Sequence, residues 1–466
     1  MLAKLYKNPQ KIAYLLILSV GILSTLYNNF LPLHGDEAYY WMWSYDLQGG
    51  YYDHAPMIAY LIYLSNFISE SEWGVRLVNI FSLSITALYI FKLTAKISDE
   101  KSALNAILIF MSVIVVHAGY IIATPDSPLL LFWTLTLYYT YMALFESKTR
   151  YFFLSGLFLG FTMMSKYSAV LLVASLLLYV LLKRRDLFTN PKLYLTIFIT
   201  LLGVSPLLYW NYEHDWISFL FQLEHGSSND YTINIGDALG FLAGQFLIFS
   251  PVFTWVLFFY MYKERLAFKD EKLFFIVLST FVTLTFFAYK GLYKPMGLNY
   301  GAPAYVGGVI FVAIMISKHE LKKTLKIGLV IAITLSFVGR TAMLFFLDKV
   351  QERMYASDKI VERFSTHIKE GDSLYGDHLT IAAYIKYYLA NHPDTDVAID
   401  SRYSHYDMER EVWHKDGLVL SREANREGAL KKYYENVELI DTHELIPGVR
   451  TFRTYRVSNP KEKQSR

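Results

Sequence analysis

The chain contains no cysteine in 466 residues. Disulfides and thiolate metal sites are therefore excluded, and the compartment has to be read from topology. Charge is scarce as well: 18% of residues are Asp, Glu, Lys or Arg, where soluble domains carry roughly 25%. With 54% hydrophobic residues and a mean hydropathy of +0.27, the composition is that of a membrane protein. There is no tandem repeat, no low-complexity tract and no His-Glu-x-x-His metal motif. No small-residue cleavage site follows the first apolar run, so that run reads as a retained signal anchor. The net charge of +3 says little as a total, and no nucleic-acid partner is expected.

What is present is a series of apolar runs. A spanning helix needs about 20 mainly apolar residues. Runs that meet or approach this length cover 12–32, 74–95, 102–122, 127–145, 151–165, 167–183, 193–210, 237–262, 273–289, 299–317 and 326–347. That predicts about eleven spans. The apolar stretch 57–68 is shorter and is expected to lie in the interface or to re-enter. Lys and Arg cluster at 4–11, 148–150, 183–192, 263–272 and 318–326, in alternate loops. The positive-inside rule then predicts a cytoplasmic N-terminus and a C-terminus outside. After Leu347 the composition turns charged. A helix is predicted over 380–391 and strands at 396–400, 416–421 and 449–458. The expected architecture is an α-helical polytopic membrane domain over 1–347, with a first outer loop at 33–73, and a small soluble α/β domain over 348–466.

The outer loops hold the chemistry. "HGDEAYYWMWSYDLQGGYYDHAP" (34–56) directly follows the first apolar run. Carboxylates at a membrane boundary are expensive unless hydrated, paired or working. One reading is structural: acids capping an interfacial helix that carries an aromatic belt. The other is catalytic. Asp36, with Glu37 in reserve, would serve as a base that takes a proton from an acceptor attacking a sugar carbon, and Asp126 lies in a further outer loop, "TPDSP". Cations would then steady a phosphate leaving group. Arg76, Lys166, His225 and Lys294 lie outside, and snorkelling to the headgroups is the ordinary alternative for the lysines. Tyr39, Tyr40 and Tyr52 could stack on or bond a sugar. A divalent cation held by Asp53, His54 and His225 stays open as an alternative.

These residues, taken in order, resemble a known family. "GDEAYYWMWSYDL…GYYDHAPMIAYLI", "TPDSPLLLFW", "GFTMMSKYSAVLL", "SPLLYWNYEHDWISFLFQLEHG", "KPMGLNYGAPAY" and "DSRYSHYDMEREVW" are similar to segments of the GT-C superfamily of membrane glycosyltransferases. The likeness is to the bacterial branch grouped with dolichyl-phosphate-mannose protein mannosyltransferases and aminoarabinose lipid A transferases. It implies a GT-C bundle capped by a periplasmic domain in the bacterial inner membrane. It also implies inverting transfer from a polyprenyl-phosphate (undecaprenyl) sugar to a lipid A-type glycolipid or a protein hydroxyl, among membrane lipids. By carry-over, Asp36 matches the first-loop acid, Glu37 its neighbour and Asp126 the second-loop acid. Asp53 and His54 match an acidic-basic pair on the donor phosphate. Where the aminoarabinose transferases have Glu-Lys-Pro, this chain has Asp-His-Ala-Pro, and histidine is fully charged only at lower pH. Arg402 and Tyr403 in the soluble domain would close over the acceptor. A flippase for a lipid-linked sugar would instead call for internal symmetry and midplane charge, and neither is evident.

Overall fold

Long apolar runs form helices because a backbone in lipid has to satisfy its own hydrogen bonds. The structure, a computed structural model, describes residues 6–226, 233–264, 269–399, 404–409, 415–422, 426–446 and 450–461. The membrane part comprises α1 (Pro9–Asn28), α2 (Gly35–Trp43), α3 (Met57–Asn66), α4 (Leu77–Ile97), α5 (Glu100–Phe110), α6 (Ile114–Gly119), α7 (Asp126–Glu146), α8 (Thr149–Ser165) and α9 (Val170–Lys183). It continues with α10 (Pro191–Glu213), α11 (Ile217–Gly226), α12 (Ile235–Ile248), α13 (Pro251–Lys263), α14 (Glu271–Gly291), α15 (Ala304–Lys318) and α16 (Lys322–Phe345).

The figure of about eleven spans needs adjustment. Among the described residues six helices are long and apolar enough to cross a bilayer, or seven if α12 and α13, bent by 114°, count as one. The bend falls at Ser250–Pro251, where proline opens the second helix and cannot continue the first. The other four expected runs lie on short or broken helices. Residues 102–122 are split between α5 and α6, and α8, α9 and α15 have 17, 14 and 15 residues. Residues 304–316 of α15 are buried throughout, so this helix packs against protein and has no lipid thickness to match. Residues 57–66 form the short helix α3, as the length of that run suggested.

The soluble part contains α17 (Ser357–Ser365), β1 (Ser373–Gly376), α18 (Leu379–Tyr388), β2 (Thr395–Val397), α19 (His405–Glu409), β3 (Gly417–Ser421), β4 (Tyr434–Ile446) and β5 (Arg450–Pro460). Its sheet has the order β2-β1-β3-β5-β4, parallel across β2, β1 and β3 and antiparallel across β3, β5 and β4. One apolar cluster joins the two parts. Ala38, Tyr39, Trp41 and Trp43 of α2 bury against Ile381, Tyr384 and Ile385 of α18. The first loop is thus a shared core and not a tether.

Candidate functional site

α2 opens with a capping box. Its N-terminal N–H groups lack helical partners and carry partial positive charge. Asp36 N–H donates to His34 Nδ1 (3.2 Å), and His34 N–H donates to Glu37 Oε2 (2.8 Å). The two adjacent acids then diverge, because consecutive helical residues point about 100° apart. Glu37 turns inward and is fully buried. Arg76 Nε and Nη2 donate to its two oxygens (2.9 and 2.8 Å), and Ala123 N–H donates to Oε1 (2.7 Å). Arg76 spends its other donors on the carbonyls of Asn28, Leu31 and Pro32 (3.2, 2.7 and 2.7 Å). This pair fastens the ends of α1, α2 and α4 to the segment before α7. Neither side chain has exposed surface. That corrects two expectations: Glu37 has no route to a substrate proton, and Arg76 none to a phosphate. Asp36 remains 43% exposed, with His34 Nδ1 at 3.6 Å.

A second cluster draws on three segments distant in sequence. Asp126 occupies the first turn of α7, where the helix dipole favours an acid. Lys166, at the end of α8, donates to Asp126 Oδ1 (2.7 Å), and Asn299 Nδ2 donates to Oδ2 (3.0 Å). The Lys166 ammonium lies 5.1 Å from the centre of the Tyr300 ring. Both charged side chains are largely covered, 13% and 16% exposed. Lys166 is therefore a paired cation with further N–H groups to offer, and Asp126 is the group that orients it. Asn299 and Tyr300 were not singled out from the sequence, although "KPMGLNY" contains them. Lys294, taken from that motif, is half-buried in the turn after α14 and does not enter the pair. The two clusters adjoin, since the Ala123 N–H that reaches Glu37 lies three residues before Asp126.

The later half of the first loop forms a wall. Asp53 is buried, accepting from Tyr39 OH (3.3 Å), while its carbonyl accepts from Gln222 Nε2 (2.5 Å). The His54 ring meets Tyr40 edge-on at 5.8 Å. The Gly49–Gly50 turn lies directly on α10: a Cβ on Gly49 would come within 2.4 Å of the Pro206 carbonyl oxygen. Trp210 Nε1 then bonds Gln48 Oε1 at 2.8 Å. Tyr39 accepts from His405 N–H (3.1 Å) and stacks on Tyr406. Tyr39 and Tyr40 are 2% and 7% exposed, so their rings are committed to packing and offer no face to a sugar. This corrects the expectation for both. Tyr52 is half-buried against Phe221. The side chain of His225, together with Arg402 and Tyr403, lies outside the described residues. Among the described residues no group of three or more His, Asp or Glu side chains could hold a metal ion.

Near Asp36 the soluble domain contributes Tyr384, buried, its hydroxyl pushed well above the usual phenol range by that burial. It stays neutral and donates to the carbonyls of Leu33 and Arg353. At the opposite end of α2 a cavity of about 990 Å³ opens between the first loop and the sheet, with Trp43, Tyr45, Asp46, Lys386, His392 and Asp396 in its walls.

Residues 53–210 match the family described as dolichyl-phosphate-mannose-protein mannosyltransferase. The lipid A galacturonosyltransferase RgtD of Rhizobium johnstonii is 23% identical over 299 residues, 64% of this chain and 63% of that protein. The chain thus aligns with less than two thirds of this curated relative. The crystal structure of ArnT from Cupriavidus metallidurans in the apo state is similar with a TM-score of 0.70 at 12% identity, over 96% of this chain and 99% of that one. Its undecaprenyl phosphate-bound form gives 0.67 at 13% identity over the same shares. At such identities the likeness speaks for the fold.

Proposed function

We infer that this chain, whose fold resembles that of ArnT and whose motif order resembles the GT-C superfamily of membrane glycosyltransferases, moves a sugar from a polyprenyl phosphate to an envelope glycolipid. The single observation that carries the reading is the division of labour at 36–37. One acid of the pair is sealed against Arg76, while its neighbour is held by the same helix start and left exposed. In the proposed reaction the acceptor hydroxyl gives its proton to Asp36 as its oxygen attacks the anomeric carbon. The bond to the phosphate breaks on the opposite face, which inverts the configuration. The polyprenyl phosphate departs with the electron pair, and Lys166, oriented by Asp126, balances its charge. Asp53, His54, His225 and Lys294 are proposed to line the donor side, and Tyr52, Arg402 and Tyr403 the acceptor side. A lipid A-type acceptor is supported by the galacturonosyltransferase relative. A protein hydroxyl is the second reading, favoured by the mannosyltransferase match over 53–210. The alternating basic loops support placing Asp36 on the periplasmic side of a bacterial inner membrane.

The test is release of polyprenyl phosphate from a lipid-linked sugar by the purified chain. Mass spectrometry of lipid A and of envelope glycoproteins from a deletion strain accompanies it. Loss of a single sugar from lipid A is expected. A mass lost from a protein instead would select the second acceptor. Unchanged lipid A and glycoproteins, with no donor turnover in vitro, would overturn the reading.

A further inference from the structure

One polar cluster in the membrane part takes no share in the site above. Arg340 stands five residues before the end of α16, about 27 Å along the helix from Lys322 at roughly 1.5 Å per residue. This is the end of the bundle that carries the first loop. Its guanidinium does not extend toward water. Nη2 donates to Ser24 Oγ on α1 at 3.0 Å, and Ser24 is buried. The group lies 4.9 Å from the centre of the Tyr27 ring, and Tyr27 OH donates back to the Arg340 carbonyl at 2.8 Å. Arg340 Nε is buried without a hydrogen-bond partner. No carboxylate among the described residues pairs with it. His117, on the helix α6 that packs against α16, also has a buried Nδ1 without a partner. Three residues from Tyr27 and from Arg340 along the chain, Phe30 and Phe337 are 74% and 69% exposed, as on a surface facing lipid tails.

Snorkelling would send an arginine outward along its own stem to reach water. Here the charge is folded against a neighbouring helix, held by one hydroxyl and one aromatic face. A membrane-embedded arginine is expensive without an acceptor, and such residues pair with a partner or mark a ligand path. The guanidinium fork is matched to the oxygens of a phosphate. We propose that the Arg340 guanidinium, where α16 meets Ser24 and Tyr27 of α1, binds the phosphate of a lipid headgroup. Among the described residues Arg340 makes no hydrogen bond to the Asp36 or Lys166 clusters, and its occupant is a bilayer phospholipid or a phosphorylated substrate lipid.

The test uses the full chain, purified in detergent and stripped of lipid. Binding of phosphatidylglycerol, undecaprenyl phosphate and inorganic phosphate is measured by native mass spectrometry and by the shift of the unfolding midpoint. A hydrogen-bonded charge contact implies binding about ten- to hundredfold weaker in Arg340→Gln for the lipid that occupies the site. Loss confined to undecaprenyl phosphate identifies a substrate lipid, and loss for both lipids a general headgroup site. Equal binding by wild type and Arg340→Gln overturns the proposal, as does saturation of the site by inorganic phosphate alone. Should Arg340→Gln fail to fold, Arg340→Lys keeps the charge and loses the fork. Several-fold weaker lipid binding in that variant then supports the site, and unchanged binding overturns it.

Discussion

Adjacent acids at 36 and 37 are equivalent on paper, and only their partners tell them apart. The partner of Glu37 is Arg76, 39 positions away, and the partner of Asp126 is Lys166, 40 positions away. Such contacts cannot be read from local spacing, which is why the sequence yields the acids but not their division. Two opposite outcomes follow. Asp36→Asn should lower turnover by about 10²–10⁴-fold, the range for a general base, and leave the unfolding midpoint nearly unchanged because the side chain is exposed. Glu37→Gln strands a buried arginine and should destabilise the fold by about 3–5 kcal/mol. Denaturation of both variants beside a turnover assay separates the cases, and wild-type activity in Asp36→Asn would remove the base assignment. A third residue prediction concerns pH. Arg363, bonded to both oxygens of Asp441 (2.6 and 2.7 Å), holds that carboxyl down at about 2, below its ordinary 3.8. A depressed carboxylate pKa stabilises the fold above the unfolded value and loses that contribution as pH falls through the folded one. The stability gap between wild type and Asp441→Asn should therefore be constant near neutral pH, shrink below about pH 4 and vanish near pH 2. A gap that stays constant down to pH 2 would show that the ion pair contributes nothing. The gap itself should be small, because Arg363 is about half exposed.

Among the elements, the packing of α2 on α18 sets where Asp36 stands. Gly35 is the point of closest approach: a Cβ there would lie 2.7 Å from Thr380 Cβ and 3.0 Å from its Cγ2. Gly35→Ala must push the two helices apart, with an expected cost of about 1–3 kcal/mol as for other overpacked cores. Thr380→Ala removes Cγ2 but leaves Cβ, so the double variant should regain only part of the loss, as chemical denaturation would show. Full tolerance of alanine at 35 would mean that the helices can separate freely. The elements were legible to different degrees for physical reasons. α18, β3 and β5 carry regular apolar patterns and fall where the sequence puts them. The expected strand at 396–400 is shorter, with β2 covering Thr395–Val397. β1 has four residues, too few for a period to register. β4 is an edge strand whose acids at 435, 438, 441 and 444 make it read as a charged loop, a composition that suits an edge open to solvent.

Across the whole molecule, the loop contacts among the described residues fall into two sets. At one end Lys96 meets Glu146, Arg184 reaches the Leu144 carbonyl, Tyr179 bonds Glu271 and Lys318 bonds Glu264. These belong to the basic loops. At the other end Glu37 holds Ala123, Lys166 and Asn299 both donate to Asp126, Asn234 N–H reaches the Leu292 carbonyl, and the soluble domain packs on α2. The bent pair α12–α13 runs from the second set to the first, so the broken helix still changes sides. Charge alternation alone anticipates this sorting, because an insertion bias acts on each short loop in turn. It anticipates nothing about which loop residues meet, since that depends on packing between distant segments. The arrangement constrains topology even where individual helices are short: the first loop and the soluble domain must share a side. The absence of cysteine makes this directly testable. Leu47 in the first loop is 43% exposed, and Glu370, Lys148 and Lys322 are exposed too. Single cysteines at Leu47 and Glu370 should react together with an impermeant maleimide applied to spheroplasts. Those at Lys148 and Lys322 should react only after permeabilisation. The reverse pattern at all four positions would keep the two-ended arrangement and invert its orientation, whereas labelling that divides Leu47 from Glu370 would contradict the packing of α2 on α18 itself.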